Sequence, residues 1–338
     1  MSDASTRQIG SGDFIYEPIV DWEQRPEGMM FNQAVGIDVD SQDQVFVFSR
    51  SDDPVVVFNR DGEFVKAWGK GLFARPHAIF ITDDDLVYCT DDWGHAIYKF
   101  TPDGELLQTI GTPGEPSNSG VENRDYRTIK QPGGPFNLPT MLAPSPDGEF
   151  LYISDGYGNC QVHKYTVTGE HVSSWGEAGR GRGQFLIPHG ISVRSDGTVF
   201  VCDRENSRIQ LFSPDGEYLD EWTEPARPCQ AVFGPDGNVY VAEIGFKVGM
   251  SMSPDFPGRE MVPSRVGVYS PQGDLLTRFG EGEYGLPGET YAAHGIAVDS
   301  HGDLYVGEVR PDYYRENETP KDSAVPAGAP VFQKIRRM

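Results

Sequence analysis

The chain has 338 residues, a net charge of −23, 38% apolar residues, 40 glycines and 26 prolines. That length admits one large domain or two ordinary ones, with enough apolar material for a sizeable core. No basic stripe offers itself to nucleic acid, and apolar runs such as VVVF (55–58) are strand-length, too short to cross a membrane. Long helical patterns are absent, so the composition predicts many short strands joined by turns.

The chain starts with MSDASTRQIG, which has no apolar segment. This predicts no secretory signal and a cytoplasmic protein, with residues 1–13 as a flexible tail. The strong acidity then serves solubility. Cys89, Cys160, Cys202 and Cys229 are scattered, lack CxxC spacing and are expected as reduced thiols.

From residue 35 onward a two-strand unit recurs: VGIDVDSQDQVFVFSR (35–50), HAIFITDDDLVYCTD (77–91), TMLAPSPDGEFLYISD (140–155), HGISVRSDGTVFVCD (189–203), CQAVFGPDGNVYVAE (229–243) and HGIAVDSHGDLYVGE (294–308). Five of these are followed by an aromatic residue, a glycine turn and a further strand: FNRDGEFVKAWG (58–69), FTPDGELLQTIG (100–111), YTVTGEHVSSWG (165–176), FSPDGEYLDEWT (212–223) and YSPQGDLLTRFG (269–280). Two hairpins make a four-stranded blade, and six such repeats read as an all-β, six-bladed β-propeller forming a single domain over 1–338. The sixth repeat lacks its own outer hairpin. PVFQKIRRM (330–338) and FIYEPIVDW (14–22) supply its third and fourth strands, so the termini share the last blade and close the ring.

In a propeller the first strand of each blade lines the central channel. His77, His189 and His294 open the first strands of repeats two, four and six, and Val35, Thr140 and Cys229 hold that place in the odd repeats. Alternate blades of a six-fold ring place the three imidazoles at equal depth around one point, a donor set with an open position for one catalytic zinc ion per chain or for another divalent transition ion such as iron or manganese. His95, His163 and His171 lie on or beside outer strands and His301 in a turn, where packing or surface roles are expected.

Segments following each second strand return to the histidine face and offer Arg50, Asp91, Tyr157, Arg204 and Arg310. Tyrosine flanked by arginines near a metal suits proton transfer on an anionic substrate. Asp91 and Arg310 are read instead as stitching neighbouring blades. The longest insertions, 112–135, 246–264 and 311–329, fall on the same face, with Tyr126, Phe246, Met250, Met252 and Tyr313 as candidate lid residues.

The stretch SDGYGNCQVHKYTVTGEHVSSWGEAGRGRGQFLIPHGISV, followed by VCDRENSRIQLF, resembles the core of the peptidyl-α-hydroxyglycine α-amidating lyases, NHL-type six-bladed propellers. FSRSDDPVVVF and RPHAIF resemble their earlier blades, and the likeness runs over roughly 30–335, strongest at 136–212. It implies a zinc lyase that breaks a carbinolamide C–N bond, releasing an amide and glyoxylate. It further implies His77, His189 and His294 as zinc ligands, Tyr157 as the base, and Arg50 and Arg204 as substrate holders. The chain departs from the family at Ala292, where the family has methionine, at Gly295, where it has a calcium-linked aspartate, and at Gly158, where it has a disulfide cysteine. These departures count against a structural calcium and shift the expected substrate toward a small hydroxylated or carboxylated molecule. The alternatives are another metal-dependent propeller enzyme, a hydratase or lactonase-like hydrolase, and a non-enzymatic NHL interaction scaffold. A hydrolase of that kind would hold calcium through Glu, Asn and Asp, whereas these channel positions offer histidine. An acidic propeller with no basic face does not suit RNA.

Overall fold

A computed structural model describes residues 7–246, 262–309 and 330–338. It is a six-bladed β-propeller, each blade an antiparallel sheet with its first strand innermost. Those first strands are Ala34–Val39, Pro76–Ile81, Pro139–Pro144, Pro188–Val193, Pro228–Phe233 and Ala293–Val298, in blades 1 to 6. Short runs rich in β-branched and aromatic residues, mostly buried along their whole length and bounded by turn residues, form the inner strands, and the apolar faces of adjacent blades press together. Between blades 1 and 2, for example, Phe48, Val55 and Val57 meet Ile79, Val87 and Phe100.

The ring closes through the termini. Phe332–Arg337 pairs with Leu304–Glu308 on one side and with Phe14–Ile19 on the other. The fourth strand is shorter than FIYEPIVDW suggests, ending at Ile19, and Trp22 lies beyond it. The flexible tail expected over 1–13 is corrected in part. Ile9–Ser11 forms a fifth strand on this blade, pairing with Phe14–Ile19 through a tight turn at Gly12, because the Gly-containing reversal lets the chain pair with its own edge. Residues 1–6 lie outside the described residues.

Four tryptophans do equivalent work. Trp68, Trp175 and Trp222 end outer strands and lie over the hairpin glycine of the next blade. A Cβ added at Gly104, Gly216 or Gly273 would sit 2.7, 2.7 and 2.6 Å from the facing indole. Trp22 does the same across the closure, covering Gly62 of blade 1 and packing on Phe58, Tyr305 and Phe332. Its Nε1 also donates to the Arg60 carbonyl at 3.0 Å. Trp22→Ala opens this seam and is expected to cost about 3–5 kcal/mol, read as a lowered urea midpoint. A change within error would mean the closure does not depend on this residue.

Candidate metal centre

Each histidine is the second residue of its innermost strand, as are Val35, Thr140 and Cys229 in the odd blades. The imidazoles converge on the channel axis, with centroids 4.7–5.0 Å apart and one ring nitrogen of each within 4.8 Å of the others. All three are buried.

The odd-blade residues act through their backbones. His77 Nδ1 donates to the Thr140 carbonyl (2.6 Å), His189 Nδ1 to that of Cys229 (2.7 Å), and His294 Nδ1 to that of Val35 (2.7 Å). A carbonyl only accepts, so Nδ1 carries the proton and each Nε2 is left with a lone pair. Every histidine thus reaches to the next blade for the contact that fixes its tautomer, the outer-sphere arrangement typical of metal-ligating imidazoles.

Glycine makes two of these contacts possible. A Cβ at Gly190 would meet the Cys229 oxygen at 2.5 Å, and one at Gly295 would meet the Val35 oxygen at 3.0 Å. These are the carbonyls that hold His189 and His294, so the glycines after the histidines let neighbouring strands approach closely enough. Gly190→Ala is expected to weaken the affinity of the three histidines for a divalent metal ion about 10- to 100-fold, measured by competition with a chromogenic chelator. Unchanged affinity would mean the carbonyl contact does not set the ligand.

A second ring surrounds the histidines. The residue preceding each innermost strand accepts an N–H from just beyond the second strand of the same blade. The six donors are Arg50, Asp92, Tyr157, Arg204, Ile244 and Val309, at 3.0–3.3 Å. Five follow the strand end directly, whereas Tyr157 lies two residues past Asp155. Blades 1 to 4 therefore present a polar rim and blades 5 and 6 an apolar one, where Val309 packs with Val35 and Tyr291. Asp91 lies one place earlier and accepts the N–H groups of Ala74 and Arg75. Asp155, Asp203, Glu243 and Glu308 repeat this loop-pinning contact in the later blades. Arg310 lies outside the described residues.

Tyr157 reaches inward. Its phenol oxygen is 3.1 Å from His77 Nε2 and 2.9 Å from His189 Nε2, and it accepts from Arg204 Nη1 at 3.1 Å. Its ring packs with Tyr126, Leu138 and Ile187, so the 112–135 insertion is a wall behind the tyrosine. Gly158 leaves that wall in place, since a Cβ there would lie 2.2 Å from Asn137 Oδ1. Arg50 bonds the Pro76 carbonyl through Nε (3.0 Å) and Gln33 through Nη1 (2.6 Å), next to His77. Phe246 lies beneath Arg227, while Met250, Met252 and Tyr313 fall outside the described residues.

Burial holds the imidazoles neutral. It pushes His77 well below the usual histidine range, helped by His189 and His294. His189 is driven down by burial and then Arg204, and His294 to about 3 by burial and then Arg50. The remaining histidines pack elsewhere: His163 contacts Asp155 (3.2 Å), His95 accepts the Leu138 N–H (3.1 Å), and His171 contacts Ser174 (2.8 Å). His301 is exposed near Asp43.

A cation suits this donor set. Three Nε2 lone pairs and one phenol proton face each other, so the phenol can satisfy only one of the two imidazoles it touches. His294 Nε2 is buried with no hydrogen-bond partner among the described residues. Buried acceptors without donors are costly, and a divalent ion held by His77, His189 and His294 relieves that cost. Among the described residues this is the one cluster that groups such ligands, and it contains no carboxylate.

Comparison with known proteins agrees with this architecture. Residues 121–244, under half of the chain, match the SMP-30/gluconolactonase/LRE-like region. NHL repeat-containing protein 3 of Homo sapiens is 32% identical over 247 residues, covering 67% of this chain and 66% of that protein. Peptidyl-alpha-hydroxyglycine alpha-amidating lyase 1 of Drosophila melanogaster is 30% identical over 168 residues, 46% of this chain and 28% of that one. The chain is a homologue of the NHL-repeat proteins and the amidating lyases. It spans less than two thirds of either relative's length. A solved streptogramin B lyase superposes over all of both chains with a TM-score of 0.57 at 12% identity, which shows the shared propeller fold. Among the described residues no helix is long and apolar enough to cross a membrane.

Proposed function

We infer that the protein is a zinc-dependent carbon–nitrogen lyase that splits a small, anionic carbinolamide into an amide and glyoxylate. One observation carries the reading: the Tyr157 phenol oxygen lies against two of three converging imidazoles while Arg204 donates to it. The relatives named as amidating lyases support the reaction class.

Zinc held by His77, His189 and His294 would supply Lewis acidity, polarising the carbinol oxygen. Arg204 gives the phenol oxygen a charge-assisted hydrogen bond and stabilises negative charge on it. Tyr157 as phenolate takes the carbinol O–H proton. The O–H electrons form the C=O bond of glyoxylate, the C–N bond breaks, and the nitrogen takes back a proton to leave as the amide. Arg50 and Arg204 hold the substrate carboxylate on the polar side of the rim. The four cysteines are buried and unpaired, which supports a reducing, cytoplasmic setting.

The partial match to the gluconolactonase-like region favours a second reading, a metal-dependent hydrolase. The all-imidazole donor set supports the lyase over a calcium enzyme, which would use oxygen ligands. Incubation of zinc-loaded protein with an N-acyl-α-hydroxyglycine separates the two. Equimolar amide and glyoxylate are expected. Hydrolysis of sugar lactones without glyoxylate release would replace the lyase by the hydrolase.

A further inference from the structure

The DREN run at 203–206 provides Arg204, but the next residue has no part in the chemistry above. Glu205 is fully buried. Its Oε1 accepts from Arg204 Nε at 3.0 Å and from Arg227 Nη2 at 2.6 Å. Burial pushes this carboxyl up, but Arg227 and Arg204 outweigh it and hold it below the usual range, so it remains an anion between two guanidiniums. Arg227 is itself anchored. Its Nη1 donates to the Gly245 carbonyl at 3.0 Å, and its guanidinium lies 5.6 Å from the Phe246 ring centre. Its backbone adopts φ 51°, a costly conformation for a residue with a side chain, which the surrounding structure must over-determine.

The guanidinium of Arg204 is a rigid planar fork, so fixing Nε on one side directs Nη1 on the other. Nε is fixed by Glu205, and Nη1 meets the Tyr157 oxygen. Resting on the lyase reading, the geometry points to Glu205 as a positioning residue that aims Arg204 at the Tyr157 phenol oxygen, with Arg227 balancing its charge. Glu205 itself touches no reacting atom. In the sequence it lies 22 residues from Arg227.

Glu205→Gln keeps the shape and removes the charge. In a crystal structure of this variant, Arg204 Nη1 is expected to move out of hydrogen-bond reach of Tyr157. Zinc content should stay at the native level, and kcat for glyoxylate release should fall about 10- to 100-fold, with a smaller change in KM. Glu205→Gln combined with Arg227→Met restores charge balance, and it carries the same geometric test if the single variant does not fold. Arg204 still bonded to Tyr157 in the variant, or an undiminished kcat, overturns the assignment. Displacement of Arg204 in the variant, together with native protein that releases no glyoxylate, refutes the lyase reading and leaves the positioning contact established.

Discussion

Tyr157→Phe is expected to keep the metal and lose the reaction. The substitution deletes one oxygen and leaves the ring packed against Tyr126, Leu138 and Ile187. The three histidines keep their Nδ1 contacts to backbone carbonyls, none of which involves Tyr157. Zinc stoichiometry should therefore match the native protein. Turnover should drop about 10²- to 10⁴-fold, the range for removing a positioned base. Arg204 would lose its acceptor but still be held by Glu205, so KM should rise far less than kcat falls. Metal analysis and steady-state glyoxylate assays on the same preparation check this. Loss of zinc along with activity would make Tyr157 a ligand, and activity near native would remove it from the chemistry.

The largest effect on metal content should come from His189→Ala. Two imidazoles then remain, and the Cys229 carbonyl loses its donor. Leaving that buried acceptor unpaired costs about 1–3 kcal/mol, so the midpoint in urea should fall as well. Zinc per chain should drop from about one to near zero, because two neutral imidazoles no longer provide the three protein ligands of a catalytic site. Glyoxylate release should become undetectable, even though Tyr157 still contacts His77 and Arg204. A variant that binds zinc stoichiometrically would place the metal elsewhere.

The blades were legible in the sequence because each hairpin carries its own turn residues between two short apolar runs, so each repeat announces itself locally. The histidine register was legible for the same reason: His77, His189 and His294 each stand at one place in a repeat. The carbonyl clamp was not, since Val35, Thr140 and Cys229 share a backbone role and no side-chain chemistry. Arg50, Tyr157 and Arg204 were found by their types and all lie on the ring around the histidines, whereas its blade 2 member was missed by one residue. Reading from the strand end pointed to Asp91, whereas the rim position is Asp92, and the extra residue at Gly156 hides the equivalence of Tyr157 with Arg204. Glu205 and Arg227 gave no signal, because only the fold joins the blade 4 loop to the start of blade 5. The edge strand at Ile9–Ser11 is three residues long and too short for any periodicity to reveal.

Anomalous diffraction at the zinc edge, on crystals of native protein purified without a tag and offered zinc, tests the central claim most directly. A single strong peak bonded to His77, His189 and His294 is predicted, with Tyr157 beside it and no carboxylate among the ligands. Crystals that show no transition metal at the three histidines would contradict it, and the propeller would then have to be treated as a binding scaffold.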